Sequence, residues 1–235
     1  MRLCETCKYR DKTEYFKPCV VYSDHCELYE RRGMNSYAQD KEDIIIAEML
    51  KDVKKGFYVD VGANSPTLFS VTKAFYELDW NGINIEPLPD MYAELCADRE
   101  RDINLNIGIG NAPGIMTLYI EGMCSTLSDK VVADNGLQNK PTMQIEVDTL
   151  TNVISKYAPM EIHFLKVDVE GFERQVLQGY DFHVRPWVIC MESTKPNTEI
   201  PCYEDWEHIL IDHGYTLKKA HGINRFYVDS TRDWK

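Results

Sequence analysis

Phe57-Tyr58-Val59-Asp60-Val61-Gly62-Ala63-Asn64 is the stretch on which the fold of this chain turns. A run of aromatic and β-branched residues that ends at a glycine predicts a buried parallel strand. Ser65-Pro66 then fits a helix start, and Leu68, Val71, Phe75 and Leu78 fall on one face of the helix that would follow. Gly82-Ile83-Asn84-Ile85-Glu86 predicts a second strand, closed by Pro87 and Pro89. Residues 89–99 predict a second helix and residues 103–109 a third strand. This strand–helix alternation implies an α/β fold with right-handed crossovers and a parallel sheet.

The pattern continues outward in both directions. Upstream, residues 36–50 predict a capped helix whose apolar face holds Ile44, Ile45 and Met49. Downstream, residues 114–120 and 143–147 predict two strands around a polar excursion. Residues 162–169 and 187–191 predict strong strands. Leu150, Val153, Ile154 and Tyr157 mark one helix, and Phe172, Val176, Leu177 and Tyr180 another. Trp206, Ile209, Leu210 and His213 mark a last helix, and residues 215–220 and 224–228 predict a closing hairpin. Two domains follow from this reading: a Cys-rich module over residues 1–33 and the α/β domain over residues 34–235.

Charge narrows the partners. The 235 residues carry 26 Lys and Arg against 38 Asp and Glu, a formal net charge of −12. Such a surface repels phosphate backbones and anionic lipid, which argues against nucleic acid as a general partner. The longest strongly apolar stretch, near residues 44–50, contains Glu48 and is too short for a membrane span. Residues 1–6 lead into no apolar signal-peptide core, which predicts a cytoplasmic chain with reduced thiols.

Four of the eight cysteines, Cys4, Cys7, Cys19 and Cys26, fall in the first 26 residues with spacing C-x2-C-x11-C-x6-C. Two cysteines in C-x2-C chelate one tetrahedral ion from a tight turn, and a second pair closes the shell. A structural zinc is the leading reading, with His25 an alternative to Cys26. An iron–sulfur cluster, a redox pair or free thiols are the competing readings. Docking to a partner protein is one role for such a module.

The carboxyl ends of the strands carry the candidate chemistry. Gly62 and Ala63 let a backbone approach a ligand at a strand end, where open α/β sheets bind. Glu86, 26 residues after Asp60, can accept from two ribose hydroxyls. The blander alternatives are a tight turn at Gly62 and a helix start at Glu86. The first loop lacks G-x-G-x-x-G, and Gly108, Gly110 and Gly114 have the wrong spacing and read as turn glycines. A carboxylate at Asp60 repels a pyrophosphate but suits a sulfonium-bearing amino acid, which points to S-adenosylmethionine rather than a dinucleotide.

The segments 57–64 and 82–87, together with Lys166-Val167-Asp168-Val169-Glu170-Gly171-Phe172-Glu173, resemble those of the FkbM-type methyltransferases. Ser36-Tyr37-Ala38-Gln39 with Glu42-Asp43, Ser125-Thr126-Leu127 and Val147-Asp148-Thr149-Leu150 resemble further segments of that family. The resemblance spans residues 36–228 and leaves out the cysteine module. Ser65-Pro66 stands where a glycine often follows the Asn, and Asp79-Trp80 where Gly-Trp is common. The resemblance implies a Rossmann-like class I methyltransferase fold, with a mostly parallel seven-stranded sheet and a C-terminal antiparallel hairpin. It also implies S-adenosylmethionine as cofactor and a sugar or glycan hydroxyl as acceptor. By position, Asp60, Gly62, Ala63 and Asn64 would line the methionine end, and Glu86, followed by Pro87, the ribose. A lipid, small-metabolite or protein acceptor keeps the same cofactor. A non-catalytic interaction protein is expected to lose the acidic strand ends, which this chain retains.

Methyl transfer to a hydroxyl needs alignment and a base or metal. Asp168 and Glu192 end two strands and would face the crevice, as a base or as a pair that holds a divalent ion. Asp168 could instead position the cofactor. Glu170 joins them as a candidate, with helix capping as its structural alternative. The histidines carry no motif, and structural roles are expected for them.

Overall fold

The computed structural model describes residues 34–234, so the cysteine module and its four ligand candidates lie outside the described residues. The main sheet has seven strands: β1 (Phe57–Val61), β2 (Asn81–Ile85), β3 (Ile103–Leu105), β7 (Phe164–Val167), β8 (Val188–Glu192), β9 (Tyr215–His221) and β10 (Asn224–Asp229). Their order is β3-β2-β1-β7-β8-β10-β9. The first five run parallel, and β10 is antiparallel to both β8 and β9. This is the expected architecture, closing hairpin included. The central strands β1, β7 and β8 are buried along almost their whole length, because the parallel sheet is covered on both faces.

The crossovers are helical. Helix α1 (Glu42–Met49) precedes β1; α2 (Lys73–Glu77) and α3 (Pro89–Asp98) flank β2; α4 (Asp129–Asn135) lies in the former polar excursion. Helix α5 (Leu150–Tyr157) leads into β7, α6 (Glu173–Gln178) into β8, and α7 (Glu207–Asp212) into the hairpin. One core joins Val59 and Ile83 of the sheet to Val153 of α5, Leu177 of α6 and Leu210 of α7.

Three expectations change. The helix expected from Ser65-Pro66 begins only at Lys73, and residues 64–72 are an irregular loop. Ser65 Oγ turns back on the Thr67 and Leu68 N–H groups, and Phe69 has a left-handed backbone (φ 58°). Leu68, expected on the buried face, is exposed. The buried Arg99 guanidinium ties this loop down by donating to the Pro66 carbonyl and to Ser70 Oγ. The second change is in residues 103–109, which break at Asn106, whose side-chain amide donates to the Glu86 and Pro87 carbonyls. Past that break, β4 (Gly108–Gly110) joins β6 (Thr142–Thr149) and β5 (Gly114–Tyr119) in a separate three-stranded sheet, order β4-β6-β5. Third, Gly108 and Gly110 are therefore buried strand residues rather than turn residues. At Asp79 the backbone is left-handed (φ 62°), a conformation that Gly adopts freely and Asp tolerates better than most, which accounts for the Asp-for-Gly departure beside the buried Trp80.

Candidate active site

The carboxyl ends of β1, β2, β7 and β8 lie side by side along one edge of the main sheet. The chain runs outward from β1 to β2 and β3, then returns to β7 on the other side of β1. That reversal creates a crevice between β1 and β7, the place where open α/β sheets take ligands.

On the β1 side, Asp60 is only 1% exposed. Its Oδ2 accepts from Thr72 Oγ1 at 2.9 Å, and its Oδ1 faces the Lys166 ammonium at 3.4 Å without a regular hydrogen bond. Lys166 Nζ also donates to the Gly62 carbonyl at 2.9 Å and lies 3.5 Å from Asp168 Oδ2. Burial alone would depress the lysine, but the Asp60 and Asp168 carboxylates outweigh it and raise its pKa. The ammonium therefore stays charged, and the negative charge of Asp60 is already partnered within the protein. The sequence signal for Lys166 is a lysine inside an otherwise apolar central strand.

Gly62 has φ 78°, and a Cβ there would sit 1.9 Å from the Asp168 carbonyl oxygen. The close approach expected of this glycine is thus to the end of β7. The Gly62 and Ala63 N–H groups both donate to the Ile85 carbonyl, and Asn64 Oδ1 accepts from the Ser65 N–H. Glu86 accepts the Asn64 N–H on one carboxylate oxygen and the Leu88 N–H on the other, each at 2.8 Å. Each oxygen keeps a second lone pair, so the two can still receive a pair of adjacent hydroxyls. Burial pushes Glu86 up, against the pull of its two backbone donors.

On the β7 and β8 side, Asp168, Glu170 and Glu192 bring one carboxylate oxygen each to within 4.8 Å of one another. The three expected catalytic carboxylates therefore share one cluster. Two successive left-handed residues, Glu170 (φ 52°) and Gly171 (φ 88°), turn the chain here. The Thr126 hydroxyl pins this turn by donating to the Glu170 carbonyl at 2.8 Å. Glu170 does not cap α6, which has no side-chain cap; Glu173 Oε1 accepts the Val169 and Gly171 N–H groups and so braces the turn before the helix. Burial, reinforced by the neighbouring carboxylates, raises Glu170 to about 8. Glu192 is raised well above the carboxylate range for the same reasons. Burial lifts Glu173 to about 7, partly offset by its backbone donors.

Among the described residues no histidine belongs to the acidic cluster, although His221 ends β9 at the same edge, opposite Asn224, which pairs with Glu192. His163 accepts the Phe57 N–H on Nδ1 and packs against Trp80 and Trp187. His183 pairs with Asp181, and His213 stacks on Phe182. Among the described residues no helix is long and apolar enough to cross a membrane.

Residues 60–217 match a family model described as the methyltransferase FkbM domain. No curated protein matches the chain. Among solved structures, the fibrillarin pre-rRNA processing protein of Methanococcus jannaschii is 14% identical, covering 75% of this chain and 67% of its own, at a TM-score of 0.41. A precorrin-6y C5,15-methyltransferase from Geobacter metallireducens is 12% identical, covering 83% of this chain and 89% of its own, at a TM-score of 0.42.

Proposed function

The chain belongs to the FkbM methyltransferase family, and from that premise we propose that it is an S-adenosylmethionine-dependent O-methyltransferase acting on a hydroxyl of a sugar or glycan. The observation that carries this reading is the placement of two sets of carboxylates along one sheet edge: Asp60 and Glu86 at the ends of β1 and β2, and Asp168, Glu170 and Glu192 beyond β7 and β8.

The residues of the first set fit the cofactor. Asp60 is buried and paired with Lys166, so its part is to fix the strand end and loop against which the methionine end would lie. Glu86 has lone pairs to spare for two ribose hydroxyls. When bound, S-adenosylmethionine supplies an electrophilic methyl carbon on a sulfonium. Gly62, Ala63 and Asn64 shape the loop between those two carboxylates, with Pro87 just beyond Glu86.

The second set serves the acceptor. Asp168 is more open than Glu192, its side chain 36% exposed against 5% for Glu192, and the Lys166 ammonium lies 3.5 Å from it. It is the member suited to take the hydroxyl proton. Asp168 would accept the proton of the acceptor hydroxyl, and the methyl group would be what the bound cofactor supplies. Glu192 and Glu170 position the hydroxyl. A positioned base contributes roughly 10²–10⁴-fold to rate, and Asp168→Asn should lose a factor in that range.

S-adenosylhomocysteine should raise the melting temperature of the full chain, and labelled methyl should pass to members of a panel of nucleotide-sugars and glycans. Unchanged turnover in both Asp168→Asn and Glu192→Gln would remove the carboxylates from the chemistry. For residues 1–33 we retain a zinc held by Cys4, Cys7, Cys19 and Cys26 and a docking role toward a partner protein in the cytoplasm. Zinc near zero in the purified chain, with Cys4→Ser equally stable, removes that assignment.

A further inference from the structure

We propose that Asp168, Glu170 and Glu192 form a binding site for one divalent cation of the magnesium–manganese class, set beside the cofactor crevice. The convergence of three carboxylate oxygens within 4.8 Å is the first observation. Crowded acids alone would not carry it. The second observation is Glu192, only 5% exposed, whose Oε2 is buried and accepts no hydrogen bond. Glu170 Oε2 is likewise buried without a donor. Buried carboxylate oxygens without donors are costly unless a proton or a cation lies among them.

Among the described residues no basic side chain lies among all three. Among the described residues Lys166 is the one basic side chain that pairs with any of the three. It reaches only Asp168, at 3.5 Å, and is shared with Asp60 and the Gly62 carbonyl. Glu173 is committed to the Val169 and Gly171 N–H groups and adds negative charge nearby. The turn that carries Glu170 is held from outside by Thr126 and is left-handed at a non-glycine residue. Such a conformation is disfavoured for a non-glycine residue, and here the Glu170 carboxylate lies beside those of Asp168 and Glu192.

The donor set selects the ion. Among the described residues the cluster is made of carboxylate oxygens alone, with the Cys124 thiol beside Glu170 but outside it, which favours a hard cation over zinc. Three protein oxygens leave about half of an octahedral shell for water and for the acceptor. Asp168 is the open side, so an acceptor hydroxyl entering there would meet the ion and be made more acidic. That last role rests on the methyltransferase reading; the binding of the ion does not.

The test is a titration of the full chain with Mn2+, read by loss of the free-ion paramagnetic resonance signal, with the N-terminal cysteines preloaded with zinc. Wild type should take up one Mn2+ per chain in competition with Mg2+. Glu192→Gln and Glu170→Gln should weaken binding at least tenfold while keeping the wild-type circular dichroism spectrum and the thermal shift with S-adenosylhomocysteine. Wild type that leaves Mn2+ free at millimolar concentration, or both variants binding as wild type does, overturns the site. Should one variant fail to fold, the other decides. Mn2+ binding without any S-adenosylhomocysteine shift would sustain the cation site and count against the methyltransferase reading. The reverse result would remove the cation alone.

Discussion

Replacing Lys166 by Met tests whether the crevice is held together as described. The side chain is 9% exposed, and its ammonium reaches the Gly62 carbonyl at 2.9 Å, Asp60 at 3.4 Å and Asp168 at 3.5 Å. Methionine fills similar volume without the charge. Asp60, 1% exposed, then keeps only its bond from Thr72. Stranding one member of a buried ion pair costs about 3–5 kcal/mol, and the lost bond to Gly62 about 1 kcal/mol more. For a domain of this size each kcal/mol moves the melting temperature by about 2–4 °C, so a fall of about 8–24 °C is expected. Circular dichroism melts and urea titrations followed by tryptophan fluorescence measure it. The double variant Asp60→Asn/Lys166→Met removes both charges and should return to within about 1–2 kcal/mol of wild type. It should also bind S-adenosylhomocysteine more weakly than wild type, because the strand end and loop that Asp60 fixes are loosened. A Lys166→Met variant destabilised by less than about 1 kcal/mol, or a double variant no more stable than the single one, would refute the pairing.

Gly62→Ala forces a Cβ to 1.9 Å from the Asp168 carbonyl at φ 78°; it should cost more than about 3 kcal/mol, whereas Gly114→Ala, with nothing within 4 Å, should leave the melt unchanged and serves as its control. Arg99→Ala removes the bonds to Pro66 and Ser70; a loss of at least about 2 kcal/mol is expected, with new proteolytic cleavage in residues 64–72, and an uncut loop would contradict the anchoring role. Burial lifts Glu42 from 4.5 to about 7 and Asp43 from 3.8 to about 6. Folded values above the unfolded ones stabilise at low pH, and that contribution is lost as pH rises through the folded values, so the melting temperature should fall between about pH 5 and pH 8. Burial depresses His163 below its ordinary 6.5, which opposes this trend only at the acid end; a melting temperature that rises across the window would refute the sign.

What could be read from the sequence follows from how each element is held. Residues 57–61 and 188–191 are apolar because both faces of a central parallel strand are covered, and a run of that kind is visible without any partner. The ends of those strands placed Asp60, Asp168 and Glu192 on one edge as soon as the strands were taken as parallel. Residues 64–72 misled because Leu68, Val71 and Phe75 do keep helical spacing, while the fold decides otherwise through Arg99, 33 positions from Pro66 in the chain. The exchange of roles between Glu170 and Glu173 was equally hidden. Both stand near the start of α6, and only the left-handed turn at Glu170 and Gly171 decides which one braces the turn and which one joins the cluster.

Local rules are broken most densely where the two halves of the site meet, and the breaks are connected. Gly62 is left-handed so that its loop can pass against the Asp168 carbonyl. Lys166 is charged inside a buried strand so that one ammonium can hold the Gly62 carbonyl, Asp60 and Asp168 together. The Asp168 N–H donates in turn to the Val61 carbonyl at 3.1 Å. The loop proposed for the cofactor and the carboxylate proposed for the acceptor are therefore fixed to each other by backbone and charge, and cannot shift independently. In-line methyl transfer depends on the angle and separation of donor carbon and acceptor oxygen, where an error of about 1 Å costs about 10²-fold. A sequence that spends a buried lysine, a strained glycine and an unpaired glutamate at one sheet edge gives up stability there, and what it gains is a fixed distance between its two binding halves.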